Sequence, residues 1–235
     1  TVAVAIIKAL STLRGLRLDP GAIAELAAHI EIEELGFPIG KQDQYAAAFG
    51  GINRFTFTAE GVHVQPLDLP LRTRQELERR LLLFFLGTGR HSSSVLSAQR
   101  SATEANDPKV IASLNRIKAA VDTAEALLRA GDLDGLGELM HEAWMAKRNL
   151  AAGVASERID RAYELGRAAG ALCGKIAGAG GGGFLMLLAR QGHQDQITTA
   201  LEAEGYRRMD YHLEFGGARV LMNAAQSLPI GEHAA

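Results

Sequence analysis

The sequence predicts a mixed α+β protein of two domains. Three observations carry that reading. Helix-like stretches opened by Asp-Pro pairs alternate with short apolar runs of strand length. Two alternating apolar–polar segments flank a tight turn near residue 60. A proline-broken stretch at about residues 68–76 separates them from a second part, in which two strand candidates enclose a glycine run.

The elements follow in order. Residues 2–14, VAVAIIKALSTLR, are apolar and alanine-rich and predict a buried helix ended near Gly15. Asp19-Pro20 predicts an N-cap with proline in the first helical position, and a helix running to about Leu35. Residues 44–49 predict one or two helical turns. Residues 52–57 and 61–67 alternate around Ala59-Glu60-Gly61 and predict a β-hairpin. A basic helix-prone segment then leads into the strand Leu81–Leu86. Residues 92–170 read as largely helical, broken near Asn106-Asp107-Pro108 and Gly131-Asp132. Strands are expected at 172–177 and 184–188, a helix at 194–204, and two more strands at 209–215 and 218–222. The last dozen residues read as a frayed tail. The expected domains are thus 1–72 and 73–223, followed by a tail at 224–235.

Composition narrows the function. The 25 basic and 27 acidic side chains leave a net charge of −2, which argues against a general nucleic-acid binder. The longest apolar run, Leu81 to Leu86, is strand-sized, so no transmembrane helix is expected. The single cysteine, Cys173, permits no internal disulfide and suits a reducing, cytoplasmic setting. The seven histidines show no metal-ligand spacing and read as surface or capping residues. The chain opens at Thr1 directly in helix-like sequence, and residues upstream are expected.

Three constellations could carry chemistry. In the first, Gly178, Gly180, Gly181, Gly182 and Gly183 surround Ala179 between two strand candidates. Five glycines in six residues allow a ligand close to the backbone and allow positive φ, at an entropic cost that a simple turn does not need. The alternative is a flexible hairpin turn. No Lys-Ser/Thr follows, so the run is not a Walker A loop, and a strand rather than a helix follows it, so it is not a Rossmann fingerprint. In the second, Gly40-Lys41-Gln42-Asp43-Gln44-Tyr45, a carboxylate stands at a helix start beside a basic residue. Asp43 could take a hydroxyl proton as general base, or it could simply cap the helix. In the third, Glu31 and its neighbour Glu33 sit near a helix end, where their charge opposes the macrodipole. Glu31 could be a Mg²⁺ ligand, or part of a solvated acidic face.

Together, GKQDQYAAAFGGIN and KIAGAGGGGF resemble the GHMP kinases, whose members include galactokinase, homoserine kinase, mevalonate kinase and phosphomevalonate kinase. The segments HIEIEELGFPIGKQDQ, FFLGTGRHSSSVL and HEAWMAKRNLAAGVASERID extend the likeness from Thr1 to about Asn223. Within the superfamily the chain looks most like the D-glycero-D-manno-heptose 7-phosphate kinases of capsule and S-layer sugar synthesis.

The resemblance implies the two-domain GHMP kinase fold: part of a ribosomal S5 domain 2-like N-terminal domain, then a ferredoxin-like C-terminal domain with a helical insertion. It implies ATP and Mg²⁺, a sugar-phosphate acceptor, no nucleic-acid or membrane partner, and a homodimer as one assembly. Asp43 matches the catalytic aspartate, and Glu31 the Mg²⁺-ligand position, with Glu33 in reserve. Gly178, Ala179, Gly180, Gly181 and Gly182 match the third family motif. Gly40, Lys41 and Gln42 fall in the substrate-binding stretch. Arg90 and Lys147 match basic positions on the sugar-phosphate side, although Lys147 could equally be a helix-surface residue and Trp144 reads as core. The family's first and second motifs, including the serine-rich ATP phosphate loop, do not occur in this chain; the second is expected just before Thr1, and this chain alone is expected to be inactive. A non-catalytic sugar sensor and a plain interaction module are the competing classes. Intact Asp43 argues against the sensor, and the interaction module explains neither motif.

Overall fold

In a computed structural model the described residues are 1–87, 92–148, 154, 156–178 and 182–222. They fall into two compact units. One comprises residues 1–67 with 213–222, the other 68–212.

In the first unit, α1 (Val2–Leu13) precedes α2 (Pro20–His29). Asp19 caps α2 by accepting from the Ala22 N–H at 3.0 Å, as its pairing with Pro20 predicts. The chain does not continue as α-helix to Leu35. Residues Ile30–Glu34 form a π-helical turn, closed by Leu35 N–H donating to Ile30 O at 3.0 Å. Helix α3 (Gln42–Phe49) follows, then the predicted hairpin of β1 (Asn53–Phe57) and β2 (Val62–Pro66), with Phe55 opposite Val64.

Small residues on α2 let the helices approach. Ala24 and Ala27 are fully buried beside Ile23, Val4, Ile7, Tyr45 and Ala48. The Tyr45 ring stacks on Phe49 at 5.9 Å and meets Phe55 and Phe57 edge-on at 6.1 and 5.9 Å. Such aromatic pairs add roughly 0.5–1.5 kcal/mol each beyond the area they bury. They fasten the hairpin to α3.

The second unit opens with α4 (Leu71–Arg80) and runs directly into β3 (Leu81–Phe85). Helices α5 (Ser92–Glu104), α6 (Pro108–Ala130), α7 (Leu133–Arg148) and α8 (Glu157–Ala168) intervene before β4 (Ala171–Ile176) and β5 (Phe184–Ala189). Helix α9 (Gln194–Ala203) and β6 (Arg207–Met209) complete it. Asp107 caps α6 through the Lys109 N–H at 2.8 Å, and Gly131, at φ +72°, ends that helix in the left-handed region. Ser156 starts α8 afresh by accepting from the Ile159 N–H, a break inside a stretch expected to be helical.

The sheet order is β4-β5-β3-β6, with every neighbour antiparallel. Taken in chain order, the unit is a split βαβ-βαβ of ferredoxin-like topology with α5–α7 inserted after its first strand. Its core joins Leu82, Phe84, Leu185 and Leu187 of the sheet to Trp144, Tyr163 and Ile197 of the helices. Gly166 brings α8 onto the sheet; a Cβ there would lie 2.7 Å from Leu187 Cδ1.

The end of the chain departs from expectation. Strands were expected at 209–215 and 218–222, but the last ladder residue is Met209, and residues 213–222 pack with the first unit rather than the second. Their backbone bonds go to the end of α3: Gly51 N–H donates to Glu214 O at 2.6 Å, and Ala218 N–H to Ala48 O at 3.2 Å. The expected tail at 224–235 lies outside the described residues. Among the described residues, no helix is long and apolar enough to cross a membrane.

Candidate active site

Asp43 occupies the first turn of α3, and its side chain is exposed. It caps nothing: the N-cap position belongs to Lys41, which makes no side-chain cap bond. An acidic group here is favoured by the helix dipole and stays open to a ligand. Its neighbour Gln44 points the other way and is fully buried.

Glu31 lies in the π-helical turn and is half-buried. Its carboxylate accepts a short hydrogen bond from the Gln44 amide. The Gln44 oxygen is buried without a partner, so the Glu31 bond is the amide's one anchor among the described residues. One extra residue in the helical turn rotates Glu31 toward α3, the kind of local change π-turns supply at functional sites. Glu33 is exposed.

Gly40, Lys41 and Gln42 line one cavity of about 860 Å³, together with Glu25, Tyr45 and the hairpin tip from Phe57 to Val62. Lys41 Nζ pairs with Glu25 at 2.7 Å, and Tyr45 Oη donates to the other Glu25 oxygen at 2.5 Å. The Lys41 bond, then the Tyr45 bond, hold the Glu25 carboxyl below its ordinary range. Burial and the Glu25 charge push the Tyr45 phenol up. The Lys41 ammonium is therefore already neutralised by Glu25. Sequence reading missed Glu25 and Tyr45, because no local signal links Lys41 to a carboxylate on the preceding helix.

In the second unit, Lys147 near the end of α7 donates from Nζ to Gly178 O at 2.6 Å. Burial, with the nearby Lys175 charge second, brings the Lys147 pKa down to about 8. The glycine run is tied at its base. Ala177 N–H donates to Phe184 O at 2.9 Å, and Gly183 N–H to Gly87 O at 3.1 Å. Gly178 and Gly183 have φ of +77° and +84°, and among the described residues a Cβ on either would meet nothing within 4 Å. These positions demand glycine for backbone conformation. Gly182 also has positive φ. Ala179, Gly180, Gly181 and Arg90 lie outside the described residues.

Trp144 is buried core, as its sequence context suggests. His141 is not a surface residue: it is half-buried, hydrogen-bonds Tyr163 Oη through Nδ1, and stacks on that ring. Burial lowers its pKa.

Comparison with known proteins places this geometry. Residues 1–51 match the family described as GHMP kinases N terminal domain, and residues 123–207 match GHMP kinases C terminal, together more than half of the chain. The chain belongs to the GHMP kinase family. A D-glycero-alpha-D-manno-heptose 7-phosphate kinase of Campylobacter jejuni is 34% identical over 209 residues, covering 88% of this chain and 61% of the relative. A mevalonate kinase of Pyrococcus horikoshii is 29% identical over 93% of this chain and 62% of its own length. The crystal structure of a D-glycero-D-manno-heptose 1-phosphate kinase from Bacteroides thetaiotaomicron superposes with a TM-score of 0.70 at 28% identity, covering 91% of this chain and 59% of that one. The chain thus spans about three fifths of the length of these relatives. The α+β architecture of both units is the GHMP kinase fold.

Proposed function

We propose that the protein transfers the γ-phosphoryl group of ATP to a sugar hydroxyl, and that its acceptor is the anomeric hydroxyl of D-glycero-D-manno-heptose 7-phosphate, in nucleotide-activated heptose synthesis. The observation that carries this reading is Asp43: an exposed carboxylate in the first turn of α3 with no capping duty, in a GHMP kinase chain. The heptose assignment draws on the 34% identical relative.

Phosphoryl transfer depends on positioning and on neutralising charge more than on covalent chemistry by the protein. Asp43 would accept the proton of the acceptor hydroxyl, or hold that hydroxyl in line, as its oxygen reaches phosphorus. Gln44 anchors Glu31 so that the carboxylate keeps one orientation. Glu31 offers a hard, half-exposed oxygen donor, which suits Mg²⁺, a cation that takes one or two carboxylates and fills its shell with phosphate and water. Bound there, Mg²⁺ would neutralise charge on the ATP phosphates. Gly40, Lys41 and Gln42 line the cavity offered to the acceptor. Lys147 and the glycine run would engage phosphate.

Release of ADP by the full-length gene product tests this, using ATP, Mg²⁺ and a panel of heptose 7-phosphate, galactose, fucose and mevalonate. Turnover with heptose 7-phosphate alone supports the proposal. Turnover with galactose or fucose keeps the kinase and moves the acceptor. Saturable binding without ADP release replaces the kinase with a sensor.

A further inference from the structure

The second unit holds a polar cavity of about 380 Å³. That falls within the roughly 300–1,000 Å³ typical of small-molecule sites. Its walls come from the stretch of α4 that carries Arg72, Thr73, Glu76 and Arg80, from Gly131 at the end of α6, and from Gln191, two residues after β5. The pairing of β3 with β5 fixes its place. Leu81, next to Arg80, stands opposite Leu188, and Phe85 stands opposite Phe184. Arg80 donates from Nε to Ala189 O at 2.8 Å at one end of this pair, while Gly183 N–H donates to Gly87 O at the other. About 13 Å of strand therefore separates the cavity from the foot of the glycine run.

Helix α4 sets the chemistry of the cavity. It begins after Pro70, which brings no side-chain cap, and its first backbone bond runs from the Arg74 N–H to Pro70 O at 3.1 Å. The N–H groups of Leu71, Arg72 and Thr73 have no acceptor within the helix, and they give this end a partial positive charge. The side chains add to it. Arg72 is exposed and has no partner among the described residues. Thr73 is only 7% exposed, and its hydroxyl has no partner among them either. That hydroxyl lies against Gly131, where a Cβ would stand 3.2 Å from Oγ1. A buried hydroxyl without a hydrogen bond costs free energy that a ligand would recover. Arg80 is buried, with Nε on Ala189 O and Nη2 on Asp134, which leaves Nη1 without a partner among the described residues. Gln191 adds an amide from the opposite wall.

The negative groups nearby are already engaged. Glu76 pairs with Arg79, and Asp134 with Arg80. The end of α6 closes on itself, with Gly131 N–H donating to Leu128 O at 3.1 Å and Asp132 N–H to Leu127 O at 3.0 Å.

We infer that this cavity is a binding site for a phosphate group, carried as the monoester of a small molecule. It is built from residues that the kinase reading does not use. Two guanidinium groups, a hydroxyl and uncapped helix N–H groups offer donors from several directions, which a tetrahedral oxyanion accepts better than a planar carboxylate does. The cavity exceeds the size of a bare phosphate, which favours an ester over the free ion.

Calorimetric titration of the full-length protein with inorganic phosphate, glycerol 3-phosphate and acetate tests the site. The proteins compared are wild type, Arg72→Gln, Thr73→Val and Arg161→Gln. Arg72 is exposed, and valine at position 73 keeps the shape while removing an unpaired hydroxyl, so both variants should fold. Both phosphates should bind the wild type saturably, and glycerol 3-phosphate the more tightly. Equal affinity for the two upholds the phosphate site and makes the free ion its ligand. In Arg72→Gln the Kd should rise roughly 10- to 100-fold, the scale of a lost charge-assisted bond, and in Thr73→Val about 3- to 10-fold. Arg161→Gln removes an exposed arginine of α8 and should leave the Kd unchanged. No phosphate binding by the wild type, equal affinity in all four proteins, or acetate binding as tight as phosphate overturns the assignment.

Discussion

The carboxylate of Glu31 accepts a hydrogen bond from the amide of Gln44, the residue next to Asp43 in α3. Asp43 is exposed while Gln44 is fully buried. Adjacent residues on one helical turn thus do opposite work: one is offered outward, and the other reaches inward to orient a second carboxylate.

That link makes Gln44 a positioning residue. Gln44→Met keeps the volume and also removes the orphaned buried oxygen, so little stability should be lost. Glu31 loses its anchor. The Mg²⁺ concentration needed for half-maximal turnover should rise roughly 10- to 100-fold, the usual effect of removing a group that orients a metal ligand. Titrating Mg²⁺ against ADP release checks this, and an unchanged requirement would remove Glu31 from the metal role.

Gly217 fixes the returning segment. It has φ of +60°, and a Cβ there would stand 2.3 Å from Ala48 O. Gly50 meets Gly217 from the other side, its would-be Cβ 2.4 Å from Gly217 N. Gly217→Ala should therefore destabilise the protein by roughly 2–5 kcal/mol, combining a left-handed conformation with a backbone collision. Gly15→Ala, at φ +70° with nothing within 4 Å, isolates the conformational part and should cost about 1–2 kcal/mol. Urea unfolding of the two variants gives the comparison.

Local signals made much of this fold legible. Asp19-Pro20 and Asp107-Pro108 announce helix starts because cap and proline act within three residues. The hairpin and β3 to β5 follow from alternation and apolar runs. What stayed hidden depends on distant partners. The Gly216-Gly217 pair reads as a turn between strands until Gly50 is seen against it. The π-turn at Ile30–Glu34 leaves no mark in the residue pattern, since its extra residue shows only in hydrogen bonding. At the candidate site, Asp43 and Glu31 were visible as motif residues, whereas Glu25 pairs with Lys41 only through the packing of α2 on α3.

Lys147 gives the stability a pH dependence of definite sign. Folding lowers its pKa from 10.5 to about 8, so between those values the unfolded chain holds more protons than the folded one. The free energy of unfolding contributed by this group therefore rises with pH across that window and is flat below it. Relative to Lys147→Met, the wild-type protein should gain stability as pH climbs from about 8 toward 10.5, with parallel curves at lower pH. Denaturant midpoints collected across that range test the prediction; a wild-type curve parallel to the variant throughout would show that the ammonium is not desolvated on folding.

The central claim is that Asp43 is the group acting on the acceptor hydroxyl. The most direct measurement compares turnover by the full-length protein and its Asp43→Asn variant, with acceptor binding followed in parallel. Asparagine keeps the size of the side chain and loses its charge and basicity. The account predicts a fall in kcat of roughly 10²- to 10⁴-fold with acceptor affinity nearly unchanged. Turnover that survives within threefold would contradict it.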